Sequence, residues 1–462
     1  MIDLSQVKHI HIVGIGGISN SAIAEILLEQ GYQVSGSDLN RTSITDHLVE
    51  KGVKITYAHL AENVEGSELV VYTAAVAEDN PELVEASRIG IPCISRAEML
   101  GQIMAGYGKS IAISGTHGKT TTTSMLTRIF NDPTLDPTAL VGGYFTDIKS
   151  NVKIGKSDYF ITEACEYKES FLSFYPKVGI ILNIDEDHLD YFHNLDQIVS
   201  AFVKFAHNID DDGTLVLNGD DYNSRKIIPY YKGKIITFGL ADHCDIIARN
   251  ITYNGLGYPT FEVFSRDEKL CKLTLSVPGQ HNIYNALAAF AASRIYIKDI
   301  QVIASRLSSF KNANRRFEWI GKQNDVLIID DYAHHPSAIK VTLEAATRME
   351  DVNRILCIFQ PHTYSRTKEL LNEFASSFSL AEEVILCDIY AAREVDHGEV
   401  SSLDLLKALK KEGVSAVHFS DFDEIVKYVV NYAVPGDMIL TVGAGDVYKL
   451  APKILEALKK TQ

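Results

Sequence analysis

One run constrains this chain more than any other: SIAISGTHGKTTTTSMLTRIF, an apolar strand that passes through a glycine loop straight into a helix. Gly, Lys and Thr between a strand and a helix make a phosphate loop. The loop amides and the helix N-terminus face the anion, Lys119 supplies a point charge, and Thr120 offers a hydroxyl to a divalent cation. Only two residues separate Gly115 from Gly118, whereas the standard Walker A loop is longer. That shortness argues against switch GTPases and motor ATPases.

The same strand-to-helix grammar recurs along the chain. VKHIHIVGIGGISNSAIAEILLEQGYQVSGSD reads as a strand, a glycine turn, a helix with Ile23, Ile26 and Leu27 inward, and a second strand ending at Ser37 and Asp38. ELVVYTAAV and IPCISRAEML read as further strands, to about residue 106. After the phosphate loop come DYFITEACE, VGIILNIDEDH, GTLVLNGDD and GKIITFG. An alternating stretch from Ile246 to Pro278 then predicts an antiparallel hairpin set, and HNIYNALAAFAASRIY a closing helix. A third set starts near residue 311 with DVLIIDDYAHHP, RILCIFQPHTYSRT, EEVILCDIYAARE and DMILTVGAGDVYKL.

The expectation is an α/β protein of three domains, 1–106, 107–310 and 311–462. The outer two are Rossmann-like, and the central one is an ATPase-type parallel sheet with an antiparallel addition. In such sheets ligands sit beyond the carboxyl ends of the strands, where every unusual motif here lies.

Lys plus Arg at 44 against Asp plus Glu at 60 gives a net charge of −16, which argues against nucleic acid or an anionic membrane as the main partner. The six scattered cysteines fit neither a zinc motif nor a disulfide framework and read as reduced thiols of a cytoplasmic protein. IHIVGIGG is short, is broken by His11 and lacks a basic lead-in, so neither a signal peptide nor a membrane span is expected.

Further groups carry chemistry. Gly14, Gly16 and Gly17 suit a pyrophosphate, with Ser19 where a third glycine would fall and Asp38 closing the second strand; a nicotinamide cofactor is an alternative at this turn. Glu163 and His188 follow apolar runs and could hold a divalent ion, although magnesium prefers oxygen. Asn282 and Asn285 share a helical face. Arg315 and Arg316 could neutralise phosphate, and Asp330 and Asp331 end a strand just before His334 and His335.

Together GTHGKTTTT, HN..N, RRFE, DDYAHHP, FQPHTYSRT and LTVGAGDVYKLAPKIL resemble the Mur ligases of bacterial cell-wall synthesis, over essentially the whole chain. The short phosphate loop is shared with folylpolyglutamate synthetases; DDYAHHP and FQPHTYSRT are narrower and resemble the branch that adds L-alanine to UDP-N-acetylmuramate. The resemblance implies an ATP- and Mg²⁺-dependent amide-forming ligase, monomeric or homodimeric. It implies UDP-sugar binding by Gly14, Gly16, Gly17, Ser37, Asp38 and Thr73. It implies ATP binding by Gly115, Thr116, His117, Gly118, Lys119, Thr120, Thr121, Asn282, Asn285, Arg316 and Asp331. Magnesium falls to Thr120, Glu163 and His188, and the amino acid to Tyr332, His334, His362 and Arg366. Lys119, His188, Arg316 and Asp331 form its catalytic set, with His334 or His335 as the base for the amine.

Some positions depart from the family pattern. Ser19 and Asn20 replace Gly and Met, EACEY replaces EADES, and Thr363 stands where many relatives have Arg, leaving Arg366 as the carboxylate clamp. Sister ligases acting later carry a carbamylated lysine where this chain has Phe202. The alternatives are a recycling ligase that adds a preformed tripeptide, an NAD-dependent oxidoreductase, and a regulatory switch.

Overall fold

The computed structural model describes residues 2–73, 76–188, 191–392 and 394–460. Three sheets follow one another along the chain. The first has five parallel strands in the order Lys54–Thr56, Gln33–Ser37, His9–Val13, Leu69–Tyr72, Cys93–Ser95. Its reversal of strand order beside His9–Val13 opens a crevice at the glycine turn. Ala74 and Ala75, at the end of ELVVYTAAV, lie outside the described residues.

The second sheet has ten strands. At its centre Lys109–Ser114 lies between Val178–Ile181 and Tyr159–Glu163, all parallel. Val178–Ile181 is buried along its whole length and Lys109–Ser114 along nearly all of it, as expected of apolar strands covered on both faces. The alternating stretch forms three antiparallel strands, Ile246–Tyr253, Pro259–Ser265 and Glu268–Thr274, the first joined in parallel to Lys234–Gly239. The third sheet has six strands, parallel except for the edge strand Glu318–Gln323 against Val326–Asp331. The fold is a three-domain α/β fold with parallel-dominated sheets.

The structure corrects the sequence reading in three places. Only Cys93–Ser95 of IPCISRAEML is strand and its second half is helix, Arg96–Ala105, because Ser95 and Glu98 form a reciprocal capping box. The edge strand Glu318–Gln323 and the hairpin Thr138–Phe145 with Ser150–Lys153 were not expected. Gly142 and Gly143 mask Thr138–Phe145 by lowering its strand propensity. Gly142 is needed there, because a Cβ would lie 2.6 Å from the Glu163 carboxylate.

The first two sheets share a core. Ile23, Ile26 and Leu27 of the first helix belong to the same cluster of buried side chains as Met99, Phe171, Phe202 and Phe205. Helix Arg96–Ala105 docks so closely that a Cβ on Gly101 would lie 2.0 Å from the Ser173 carbonyl oxygen. Because that neighbour is backbone, one methyl forces the helix away. Gly101→Ala is expected to lower the thermal unfolding midpoint of the full chain, in line with about 1–3 kcal/mol of overpacking; an unchanged midpoint would show that the helix docks elsewhere.

Candidate active site

The phosphate loop owes its shape to two glycines and one asparagine. Gly115 and Gly118 have φ of 133° and 87°, and a Cβ on Gly118 would meet Asn285 Oδ1 at 2.5 Å. Asn183 clamps the loop from the next strand: its Oδ1 accepts from His117 N at 2.8 Å and its Nδ2 donates to the His117 carbonyl at 3.0 Å. Helix Lys119–Phe130 starts without a side-chain cap, so its first-turn amides are left for an anion. Asn285 donates to Asn282 Oδ1 and accepts from the Thr122 hydroxyl, which ties that helix to Gln280–Ser293.

Lys119 is the best-held charge here. Its ammonium donates to Glu166 at 2.8 and 3.1 Å, to Gly115 O at 2.5 Å and to Thr116 O at 3.2 Å. Burial works against the charge, but Glu166 outweighs it and holds Lys119 above the ordinary lysine range. Glu166 is itself buried. Sequence reasoning passed over it, although it sits three residues after Glu163 in the same motif.

The loop opens into a cavity of about 420 Å³ that reaches into the third domain. The loop, Asn282, Asn285, Arg316, Asp331, His334 and the first turn of helix Pro336–Ala346 line it. The two neighbouring arginines differ. Arg315 is spent on Asp330 at 3.0 Å and on the Gly443 and Gly445 carbonyls, with its guanidinium over the Tyr332 and Tyr448 rings. Arg316 faces the cavity and donates to Thr120 Oγ1 at 3.3 Å. Asp331 accepts from the Phe317 and Ala333 amides, each at 2.7 Å, and burial raises its pKa.

Two further cavities adjoin the first. One, of about 520 Å³, shares Asp187, His188 and His334 with it and adds Tyr332, His362, Thr363 and Arg366. The other, of about 570 Å³, shares Thr120 and Arg316 and runs to Ile18 at the start of the first helix. Thus the loop cavity has common walls with spaces reaching toward both outer sheets.

Arg366 is turned inward, toward the strand end that carries His188. It donates to Asp187 Oδ1 at 3.2 Å and meets His362 Nδ1 at 3.3 Å. Burial opposes ionisation of Asp187, but His188 and Arg366 outweigh it, and its pKa lies well below the carboxylate range. His188 sits at φ 56° against the Tyr167 ring, whose centroid is 4.7 Å away. Asp190, in the same acidic run, lies outside the described residues. The paired histidines divide as well. His335 has both ring nitrogens engaged, with Ser337 Oγ and the Glu186 carbonyl. His334 uses Nδ1 on the Tyr332 carbonyl, and burial keeps it neutral.

A triphosphate fits this loop, since its glycines and its uncapped helix present amide donors, and Lys119 its charge, to one space. For magnesium, Thr120 and His188 line that cavity, while the Glu163 carboxylate is seated on the Gly142 amide at 2.5 Å. When bound, the cation would neutralise phosphate charge.

In the first domain Gly14 adopts φ 75° and packs on Thr73, while Gly16 N donates to Asp38 Oδ2 at 2.9 Å. Asn20, one of the departures, pins the turn by donating to the Val13 and Gly14 carbonyls. Gly17 caps the helix N-terminus. The Ser37 hydroxyl is buried and donates to Glu82 Oε2 at 2.8 Å. Glu82, also bonded to His11, His59 and Asn63, is the centre of a network that no sequence motif announced.

Three family models match in order: Mur ligase family, catalytic domain, over residues 9–108; Mur ligase middle domain over 113–293; and Mur ligase, glutamate ligase domain, over 315–445. The chain belongs to the Mur ligase family. It is 49% identical over 454 residues, 98% of each chain, to the UDP-N-acetylmuramate--L-alanine ligase of Alkaliphilus metalliredigens. It is 50% identical over 448 residues, 97% of each, to that of Clostridium acetobutylicum. Among solved structures, UDP-N-acetylmuramate-alanine ligase from Thermotoga maritima matches with a TM-score of 0.81 at 30% identity, covering 99% of this chain and 100% of that one. A murein peptide ligase from Psychrobacter arcticus matches at 0.73 and 26%, covering 98% and 99%. Among the described residues no helix is long and apolar enough to cross a membrane.

Removing Lys119 strands a buried carboxylate. Lys119→Ala is therefore expected to lower the unfolding midpoint, and Lys119→Ala with Glu166→Gln to recover it. Both should lose at least about 3–4 kcal/mol of transition-state stabilisation, as when one oxyanion donor is deleted. Phosphate-release kinetics and melting curves check this; a double variant with more than about a tenth of wild-type turnover contradicts it. Phe202 is buried edge-on against Phe171, with centroids 5.1 Å apart. Turnover should therefore be indifferent to added bicarbonate, and a reproducible stimulation would contradict this.

Proposed function

We propose that this chain joins L-alanine to the lactyl carboxylate of UDP-N-acetylmuramate, consuming ATP and releasing ADP and phosphate, as a step in peptidoglycan precursor synthesis. The observation that carries the reading is the meeting of three cavities at shared walls: Thr120 and Arg316 on one side, Asp187, His188 and His334 on the other. A ligase with three substrates needs that convergence. The division into a UDP-sugar domain to about residue 106, an ATP domain to about 310 and an amino-acid domain beyond belongs to the same proposal.

Joining a carboxylate to an amine in water is uphill, so the carboxylate first needs a better leaving group. It attacks the γ-phosphate and forms an acyl phosphate; the amine then attacks that carbonyl and phosphate leaves. Two anions approach in the first step. Lys119 and Arg316, both facing the loop cavity, offset that repulsion. In the second step the amine must be free, and even the α-amino group of a peptide, at about 7.7–8.0, is mostly protonated at neutral pH. His334 is our choice of base over His335. It is neutral, lines both the loop and Arg366 cavities, and spends Nδ1 on a carbonyl, whereas both nitrogens of His335 are engaged, Nδ1 with Ser337 and Nε2 with the Glu186 carbonyl of the central domain. Apolar Ala333, Ala338 and Val341 line the loop cavity and help keep water from the acyl phosphate.

ATP-dependent phosphate release with UDP-N-acetylmuramate tests the activity when L-alanine, the tripeptide and no amino acid are compared. Release with L-alanine supports the proposal; release with tripeptide alone reassigns the chain to recycling.

L-Alanine offers one strong handle, its carboxylate, and a guanidinium grips it in two-pronged fashion where an ammonium cannot. Thr363 lines the same cavity without a charge. Arg366→Lys is expected to raise the KM for L-alanine at least about tenfold, consistent with losing roughly 1.5–3 kcal/mol of charged hydrogen bonding, and to shift the other two KM values much less. Varying each substrate in turn decides it: an unchanged alanine KM, or equal rises in all three, would sink the assignment.

A further inference from the structure

Strands Thr214–Asn218 and Lys234–Gly239 run in parallel with Asn218 beside Phe238, so the turns that follow them lie side by side. Three donors meet there: the Asp220 carboxylate, His243 and Cys244, with ligand atoms within 4.8 Å of one another. Asp220 Oδ1 is 3.7 Å from Cys244 Sγ and 4.0 Å from His243 Nε2. With zinc–sulfur at about 2.3 Å and zinc–nitrogen or –oxygen at about 2.0–2.2 Å, neighbouring ligand atoms of a tetrahedral site lie about 3.4–3.6 Å apart. Small side-chain rotations close that difference.

The surroundings suit such a site. A Cβ on Gly219 would meet Cys244 Sγ at 2.5 Å and His243 Nε2 at 3.6 Å, so glycine is what lets the two donors converge. The other carboxylate oxygen, Asp220 Oδ2, accepts from Tyr284 Oη at 3.0 Å and Leu240 N at 2.5 Å, which orients the group as outer-shell partners orient metal ligands. His243 is half-exposed, which gives an ion a way in and leaves the fourth position to water. A thiol, an imidazole and a carboxylate select a zinc-like cation over magnesium. His117, Asp185 and His335 form a comparable cluster, but Ser337 Oγ meets ring nitrogens of both histidines, and His117 is part of the phosphate loop.

We propose that Asp220, His243 and Cys244 form a binding site for zinc or a zinc-like divalent cation, separate from the magnesium-type site at the phosphate loop. Binding releases the Cys244 thiol proton to solvent and replaces the contact of His243 Nε2 with the Gly219 carbonyl. It also leaves Tyr284, which lines the loop cavity, one hydrogen bond from a fixed ion.

The test uses the untagged full chain, stripped with a chelator and titrated with Co²⁺ and then Zn²⁺. We expect one cobalt per chain with a thiolate-to-cobalt charge-transfer band that zinc displaces. Cys244→Ser, nearly isosteric, should abolish the band while keeping its metal-free unfolding midpoint, and His243→Ala should weaken zinc binding at least about tenfold. Cobalt at the phosphate loop has no thiolate ligand in the proposed set and gives no such band. A wild-type spectrum without the band, a band that survives Cys244→Ser, or unchanged zinc affinity in His243→Ala overturns the proposal.

Discussion

A buried ammonium at the mouth of a phosphate site must be charged to act and must be compensated to exist. Lys119 meets both demands through Glu166, and the rest of the centre is arranged around that pair. Its three protons go to Glu166 and to the Gly115 and Thr116 carbonyls, so the loop is held in shape by the residue we propose to hold the phosphate. An entering triphosphate meets an ammonium that is already oriented but fully donated. It gains contact by taking protons from carbonyls and carboxylate, so part of its attraction is spent on that exchange. The compensation is that the site needs little reordering when nucleotide arrives.

The third sheet is fastened to the second at the same place. Arg366 reaches Asp187, His335 reaches the Glu186 carbonyl, Ser337 meets His117, and Arg316 reaches Thr120. Each contact joins a residue after position 315 to the phosphate loop or to the strand end that carries His188. These bonds would mean little on an open surface. Here Asp187 is buried with Arg366 beside it, so separating the domains breaks charge pairs and re-exposes both partners together. The Asp187–Arg366 pair therefore joins the cavity that Arg366 lines to the loop cavity, which Asp187 also lines.

How much of this was legible follows from the range of the interactions. The phosphate loop, the glycine turn and His188 were legible because each is a local pattern, a strand end followed by residues of unusual chemistry, whereas Arg316 was separated from Arg315 by the family resemblance alone. Glu166, Asn183, Asp187 and Glu82 were not. Their importance lies in partners far along the chain, such as Lys119 for Glu166 and Arg366 for Asp187, and nothing in their own neighbourhood demands it. The strand Thr138–Phe145 was missed for a related reason. Its two glycines look like a turn, and the Glu163 carboxylate lying over Gly142, far along the chain, is what excludes a side chain at that position.

Arg315 and Arg316 show the same limit at single-residue resolution. In a regular strand adjacent side chains point to opposite faces, which would say only that one of the two is turned away. The backbone decides which: Arg315 and Phe317 both have positive φ, 61° and 47°, so the chain winds locally and presents Arg316 to the cavity. Two non-glycine residues in that region cost on the order of 1–3 kcal/mol each and persist only when their surroundings hold them. Arg315 is that hold, caged by Asp330, two backbone carbonyls and two aromatic rings, while Asp331 takes the Phe317 amide. The arginine that stays out of the loop cavity is thus what aims the one that lines it.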